Sequence, residues 1–197
     1  MNIRIFINNI EASSQMKALL IIDMQQGSFR PYELRHDTFA VIDRINRLSE
    51  VFRKNGELVI FIQHDGTKEN CFMPGTEDWS LLPELIRGPA DISVSKTAND
   101  SFYQTELQSL LTSNGVTELI LTECATDFCV DATLKSALTK DYSITVVADG
   151  HTTADRPMIP ARQVIQYFNW LWSEMTPTGG GIRVEMCDAI TAPIYLK

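Results

Sequence analysis

No stretch of this chain approaches the ~20 consecutive apolar residues that a membrane-spanning helix needs, so a membrane partner is not expected. Basic side chains are in deficit. The 17 Lys and Arg against 25 Asp and Glu leave a formal charge of −8, which argues against nonspecific attraction to nucleic acid or anionic lipid. Cysteine is scarce, with four in the chain and no export signal, so free thiols in a reducing cytoplasm are expected and a disulfide framework is not. There is no internal repeat, low-complexity tract or linker that would split off a second domain. The turn after Asp23 lacks the Gly-x-Gly-x-x-Gly pattern, which argues against a dinucleotide-binding enzyme. What remains is an ordinary globular balance, 44% apolar and 21% charged, in 197 residues that can bury a large core.

The first residues stand apart. Ile3, Ile5, Phe6, Ile7 and Ile10 alternate with Asn2, Arg4, Asn8, Asn9 and Glu11, which is too polar and too short for a signal-peptide core. Residues 1–15 read as an N-terminal extension, an extra strand or a loose arm, and Met16 as an alternative start. Residues 16–197 read as one domain.

Six segments have strand character: 18–22, 58–62, 92–94, 118–122, 144–147 and 183–186. The first two are continuous apolar runs, as expected of strands buried on both faces of a parallel sheet. Helical spacing alternates with them. Phe39, Ile42, Ile45, Leu48 and Phe52 form one stripe, with Asp37 placed to cap its start and Gly56 just past its end. Leu107, Leu110 and Leu111 form another, stopping at Asn114-Gly115. Val130, Leu134, Ala137 and Leu138 form a third, and Val164, Ile165, Phe168 and Leu171 a fourth after Pro160; 79–86 reads as at most a short helix. Gly179-Gly-Gly181 precedes a strand and reads as a flexible turn, not a phosphate cradle. Strands and helices in alternation predict an α/β fold, a parallel sheet covered by helices on both faces. Ligands bind such sheets beyond the carboxyl ends of the strands, where the strand order reverses.

That edge is where the chemistry-bearing residues fall. Asp23 follows the first strand, His64 ends the second and Lys96 follows the third. Cys129 lies past the fourth and Asp149 past the fifth. Cys129 sits on a strand–turn–helix junction, where unpaired backbone N–H groups can lower a thiol's pKa and bind a developing oxyanion. Taken singly each residue has a plainer reading: Cys129 as a small buried hydrophobe, Asp23 as a cap, Lys96 as solvated surface. Together a thiol, a carboxylate and an ammonium at successive strand ends make a nucleophile, a base and a charge stabiliser. Cys71, Cys124 and Cys187 are weaker candidates, His36 reads as surface, and His64 and His151 are the histidines available to a Cys–His pair. Phe29, Trp79 and Phe102 lie near the strand ends and are expected to wall a small apolar pocket.

From about Met16 onward the sequence resembles the isochorismatase-like cysteine hydrolases. Three stretches carry the likeness: Ala18-Leu-Leu-Ile-Ile-Asp-Met-Gln25, Ser95-Lys-Thr-Ala-Asn-Asp-Ser-Phe-Tyr-Gln-Thr-Glu-Leu107 and Ala125-Thr-Asp-Phe-Cys-Val-Asp-Ala-Thr133. The resemblance implies a three-layer Rossmann-like fold with strand order 3-2-1-4-5-6 and a catalytic triad of Cys129, Asp23 and Lys96. It further implies an oxyanion hole from the backbone N–H groups of Ala125 and Cys129, with a cis peptide between Cys124 and Ala125. The implied reaction is hydrolysis of a small amide or ureido compound through a thioester. Asp23 would shuttle the proton, which requires that it be partly buried. Relatives commonly form dimers or larger homo-oligomers, and a small-molecule substrate is the expected partner.

Departures from the family pattern narrow the reading. Nicotinamidases of this family carry an Asp-x-His…His metal site after the second strand. Here that region reads Gln63-His-Asp-Gly-Thr67 with no second histidine before His151, so no metal and no other cofactor is expected. Members that cleave isochorismate lack the cysteine, and Cys129 is present here, so a vinyl-ether hydrolase is disfavoured; it stands as the alternative, as does a non-catalytic thiol sensor on the same scaffold. Glu123 stands where many relatives have glycine. It reads either as selecting a cationic amide or as an outward-facing surface residue, while His151 reads as a substrate contact.

Overall fold

The computed structural model describes residues 16–192; the expected N-terminal extension at 1–15 lies outside the described residues. Six parallel strands form one sheet in the order β3-β2-β1-β4-β5-β6. They are β1 (Met16–Ile22), β2 (Leu58–His64), β3 (Ile92–Lys96), β4 (Val116–Cys124), β5 (Ser143–Thr152) and β6 (Ile182–Glu185). The helices are α1 (Gln26–Phe29), α2 (Thr38–Lys54), α3 (Leu107–Ser113), α4 (Asp131–Leu138), α5 (Ala161–Ser173) and α6 (Cys187–Thr191). No helix among the described residues is long and apolar enough to cross a membrane.

The continuous apolar run of β1 is split between two cores by the strand's period of two. Ala18, Leu20 and Ile22 join one cluster with Leu107, Leu111, Leu134 and Trp172, contributed by α3, α4 and α5. Leu19 and Ile21 join the other with Val41, Ile45, Leu48 and Phe52 of α2 and Cys187 of α6. Strand order reverses at β1, which pairs with β2 at Ile22↔Ile62 and with β4 at Ile22↔Glu123. The carboxyl ends of these three strands therefore finish level, with a crevice above them.

Most elements run past their last apolar residue, because ladder hydrogen bonds do not depend on side-chain polarity. β2 reaches His64, β3 reaches Lys96, and β5 continues over a register irregularity opposite β4 to Thr152, so Asp149 lies within that strand and not beyond it. There Asp149 pairs with Arg44 at 3.0 Å and accepts the Cys187 N–H.

Four local expectations differ from the fold. Asp37 makes no side-chain cap on α2, and its backbone is left-handed (φ 55°). Phe39 is 63% exposed and packs on Tyr32 instead of joining the α2 stripe. The stretch 79–86 forms no helix, and its backbone is tied to the segment following β1 through Gln26 N–H to Ser80 O and Leu82 N–H to Met24 O. The glycine run is a packed turn, not a flexible one: a Cβ on Gly180 would lie 2.1 Å from the Tyr142 carbonyl oxygen.

Candidate active site

Asp23 follows the last residue of β1 in a left-handed conformation (φ 53°), with its N–H donated to the Ile62 carbonyl at 2.8 Å. It is buried, as its expected role required. Lys96, the last residue of β3, is 1% exposed and donates from Nζ to Asp23 Oδ2 at 2.6 Å. Its other Nζ contacts are the Ala98 carbonyl at 3.0 Å and the Asn99 carbonyl at 3.4 Å. Asp23 Oδ1 is buried with no hydrogen-bond partner.

β4 ends in the cis peptide Cys124–Ala125, and residues Thr126–Val130 form a π-helical turn leading into α4. On that turn the N–H groups of Phe128 and Val130 both donate to the Ala125 carbonyl, at 3.0 and 3.4 Å. Cys129 Sγ lies 3.6 Å from Asn99 Oδ1. Burial pushes the Cys129 thiol above its ordinary value and the Asp23 carboxylate pushes it further, outweighing the opposing pull of Lys96. For Lys96 burial acts to lower the ammonium, but Asp23 and then Cys129 outweigh it and the net direction is up. The resting arrangement is thus a neutral thiol beside a buried ion pair.

A cavity of about 230 Å³ opens over this group. Asp23, Asn99, Ala125 and Cys129 form its floor, Phe72 and Phe128 supply apolar wall, and Gln25, His64, Arg35 and Arg156 complete the polar lining. Gln25 locks the rim: its Oε1 accepts the His64 N–H at 2.8 Å, while Nε2 donates to the carbonyls of His64 and Trp79 at 3.0 and 2.9 Å. The loop 99–101 is fixed to α4 by Thr133 Oγ1, which accepts the Ser101 N–H at 3.1 Å. That bond ties together two of the stretches that carry the resemblance, and Thr133 Oγ1 also contacts the Asn99 carbonyl at 3.5 Å.

Several residues expected at the pocket lie elsewhere. Phe29 is fully buried in the α2-side core, and Phe102 is core on the opposite face, stacked on Tyr142. Apolar rings near strand ends gain more by joining a core than by facing a wet cleft. Trp79 lines a separate cleft of about 470 Å³ with Gln63 and Arg87, and only its carbonyl serves the rim. His151 is buried behind the turn. Its Nδ1 pairs with Thr126 Oγ1 at 2.8 Å and its Nε2 with Asn169 Oδ1 at 2.9 Å. Asn99, Phe72, Phe128, Arg35 and Arg156 were not singled out from the sequence, although Asn99 and Phe128 lie inside matched motifs.

Glu123 corrects both of its readings. It is fully buried, and neither carboxyl oxygen has a partner. Burial first, and then the Asp23 charge, hold its carboxyl well above the ordinary range, with Lys96 opposing and Asp131 adding to the rise. Burial thus favours the neutral acid and seals Glu123 away from a cationic substrate. Because its folded pKa is raised, its contribution to stability is present below the unfolded value of about 4.5 and is lost as pH climbs towards the folded one. Glu123→Gln is expected to match the wild type near pH 4 and to exceed it increasingly at neutral and alkaline pH. Urea titrations of both proteins across pH would check this, and parallel curves would count against it.

Among the described residues no three His, Cys, Asp or Glu side chains are grouped to hold a metal ion. Gln63, in the stretch where the metal-dependent relatives place ligands, instead donates to the Trp79 carbonyl at 3.0 Å.

Comparison with known proteins adds the family. A model described as the isochorismatase domain matches residues 17–171. A streptothricin hydrolase from Streptomyces noursei is 34% identical over 145 residues, covering 74% of this chain and 58% of that protein. A ureidoacrylate amidohydrolase from Methylorubrum extorquens is 33% identical over 123 residues, covering 61% of this chain and 50% of that one. The chain thus spans little more than half the length of these curated relatives. A solved structure described as an isochorismatase family protein superposes with a TM-score of 0.76 at 31% identity, covering 84% of this chain and 96% of that one.

Proposed function

The chain belongs to the isochorismatase family, and on that premise we propose that it is a cysteine hydrolase that cleaves a C–N bond of a small amide or ureido compound through a thioester on Cys129. The observation that carries this reading is the buried Lys96–Asp23 ion pair, 2.6 Å between head groups, beneath a thiol on the floor of a small cavity. Two relatives named as a streptothricin hydrolase and a ureidoacrylate amidohydrolase support C–N hydrolysis as the reaction class.

The raised thiol dictates the order of events. Cys129 is not a standing thiolate, so its proton leaves as the sulfur attacks, and the unpartnered Asp23 Oδ1 is the acceptor. A C–S bond forms at the substrate carbonyl, whose oxygen takes the negative charge. The N–H groups of Ala125 and Cys129 and the Lys96 ammonium stabilise that oxygen. Asp23 then returns the proton to the departing nitrogen as the C–N bond breaks. Water attacks the thioester, gives a proton to Asp23 and releases the acid, and the proton passes back to sulfur.

Intact-mass analysis after mixing with a panel of amides and ureas should reveal an acyl adduct on Cys129. Cys129→Ala should lose that adduct and at least ~1,000-fold of turnover, with an unchanged melting temperature. Turnover that survives Cys129→Ala would overturn the mechanism.

A further inference from the structure

Two arginines line the cavity over Cys129 and another cation, Lys96, is buried beside it; two of the three are already neutralised. Lys96 is paired with Asp23. Arg156 is held by both oxygens of Asp127, at 2.6 Å from Nε and 2.8 Å from Nη2, and its guanidinium lies 4.9 Å from the Phe128 ring centroid. The third is Arg35. Its Nε donates to the Ser28 carbonyl at 2.7 Å, which fixes the guanidinium on the cavity wall. Arg35 also lines a second cleft, together with Glu33, Asp37 and Asp155. Asp37 instead pairs with Arg44 and Asp155 accepts the Ala161 N–H, and among the described residues no carboxylate stands within 4.0 Å of Arg35. In a protein of net charge −8, Arg35 is thus a cation on the lining of the cavity that also holds Cys129, without an ion-pair partner among the described residues.

The remaining lining constrains the ligand further. His64 and Gln25 add polar lining to the same cavity. Phe72 and Phe128 offer apolar surface, and about 230 Å³ admits only a small molecule. Glu123, the one residue that pointed towards a cationic substrate, is sealed below the floor.

Resting on the hydrolase reading above, we propose that the substrate is a small amide or ureide bearing a carboxylate, and that Arg35 binds that carboxylate. A guanidinium with free N–H groups matches a carboxylate in shape and charge, and in a half-enclosed cavity the pair orients the scissile carbonyl over Cys129.

The test uses five ureas sharing one scissile group: N-carbamoylglycine, N-carbamoyl-β-alanine, the methyl esters of both, and 2-aminoethylurea. The acids should be hydrolysed with kcat/KM at least tenfold above their esters, and the cationic urea should be slowest. Arg35→Gln should lower kcat/KM for the acids by roughly 10- to 100-fold, mainly through KM, the cost of losing one charge-assisted contact. It should leave the esters within about threefold, and Arg35→Lys should recover part of the loss. Equal rates for acid and ester, preference for the cation, or an Arg35→Gln defect shared equally by acids and esters would overturn the assignment while the hydrolase reading stood. If no urea is turned over and none acylates Cys129, the hydrolase reading fails and this inference falls with it.

Discussion

Lys96→Met is expected to cost about 3–5 kcal/mol of stability, because it leaves the Asp23 carboxylate charged and unpaired in the interior. In a chain of this size that corresponds to roughly 10 °C in melting temperature. The same variant should lose at least ~100-fold in kcat, since the ammonium is one of the fixed charges facing the carbonyl oxygen in the proposed reaction. The two effects separate in the double variant. Asp23→Asn with Lys96→Met removes both charges, so most of the stability should return while turnover stays absent. Thermal melts and steady-state rates on the three variants would check this. A double variant no more stable than Lys96→Met alone would mean that the pair is not the source of the loss.

The second large effect concerns acid. Burial lowers the His151 imidazole to about 4, against smaller upward pulls from Asn169 and Asp149. Asn169 Nδ2 donates to the Ala148 carbonyl at 2.9 Å, which leaves Oδ1 to accept from His151 Nε2–H. Nδ1 is then the acceptor for the Thr126 hydroxyl, and the neutral ring is fully satisfied with Trp172 packed edge-on at 5.2 Å. The unfolded chain binds a proton near pH 6.5 and the folded one only near 4, so between those values the unfolded state holds more protons. Stability is therefore complete above pH 6.5 and falls by up to about 3 kcal/mol as pH drops to 4. His151→Gln should flatten that acid limb in chemical denaturation. Because Thr126 opens the turn that carries Cys129, activity of the folded enzyme should fade reversibly as pH falls through about 4, where the His151 imidazole takes up a proton. An unchanged acid limb in the variant would sink the assignment.

How much of this was legible beforehand differs by element. Strands β1 and β2 announce themselves as unbroken apolar runs because both faces are buried, and the strand order came through the resemblance. The positions of Asp23, Lys96 and Cys129 at strand ends were readable because topology alone sends those ends to one edge. Strand lengths were not, since pairing continues through polar residues such as Gln63, Ser95 and Glu123. Glu123 carried a usable signal that was missed: a period of two puts it on the same face as Leu119 and Leu121, both core. The pocket wall was the least legible part. Arg35, Phe72 and Arg156 come from three loops whose meeting depends on long-range ties such as Gln25 to Trp79, and no local pattern encodes those.

The left-handed backbone at position 23 narrows which acids can occupy it. Short side chains such as aspartate and asparagine tolerate that conformation, whereas the extra methylene of glutamate brings no such tolerance and would shift the carboxyl away from Lys96. Asparagine thus removes the charge with the main chain undisturbed, and glutamate keeps the charge at the cost of its aim. Chemical conservation and geometric conservation point to different substitutes at this residue, and geometry is the stricter of the two.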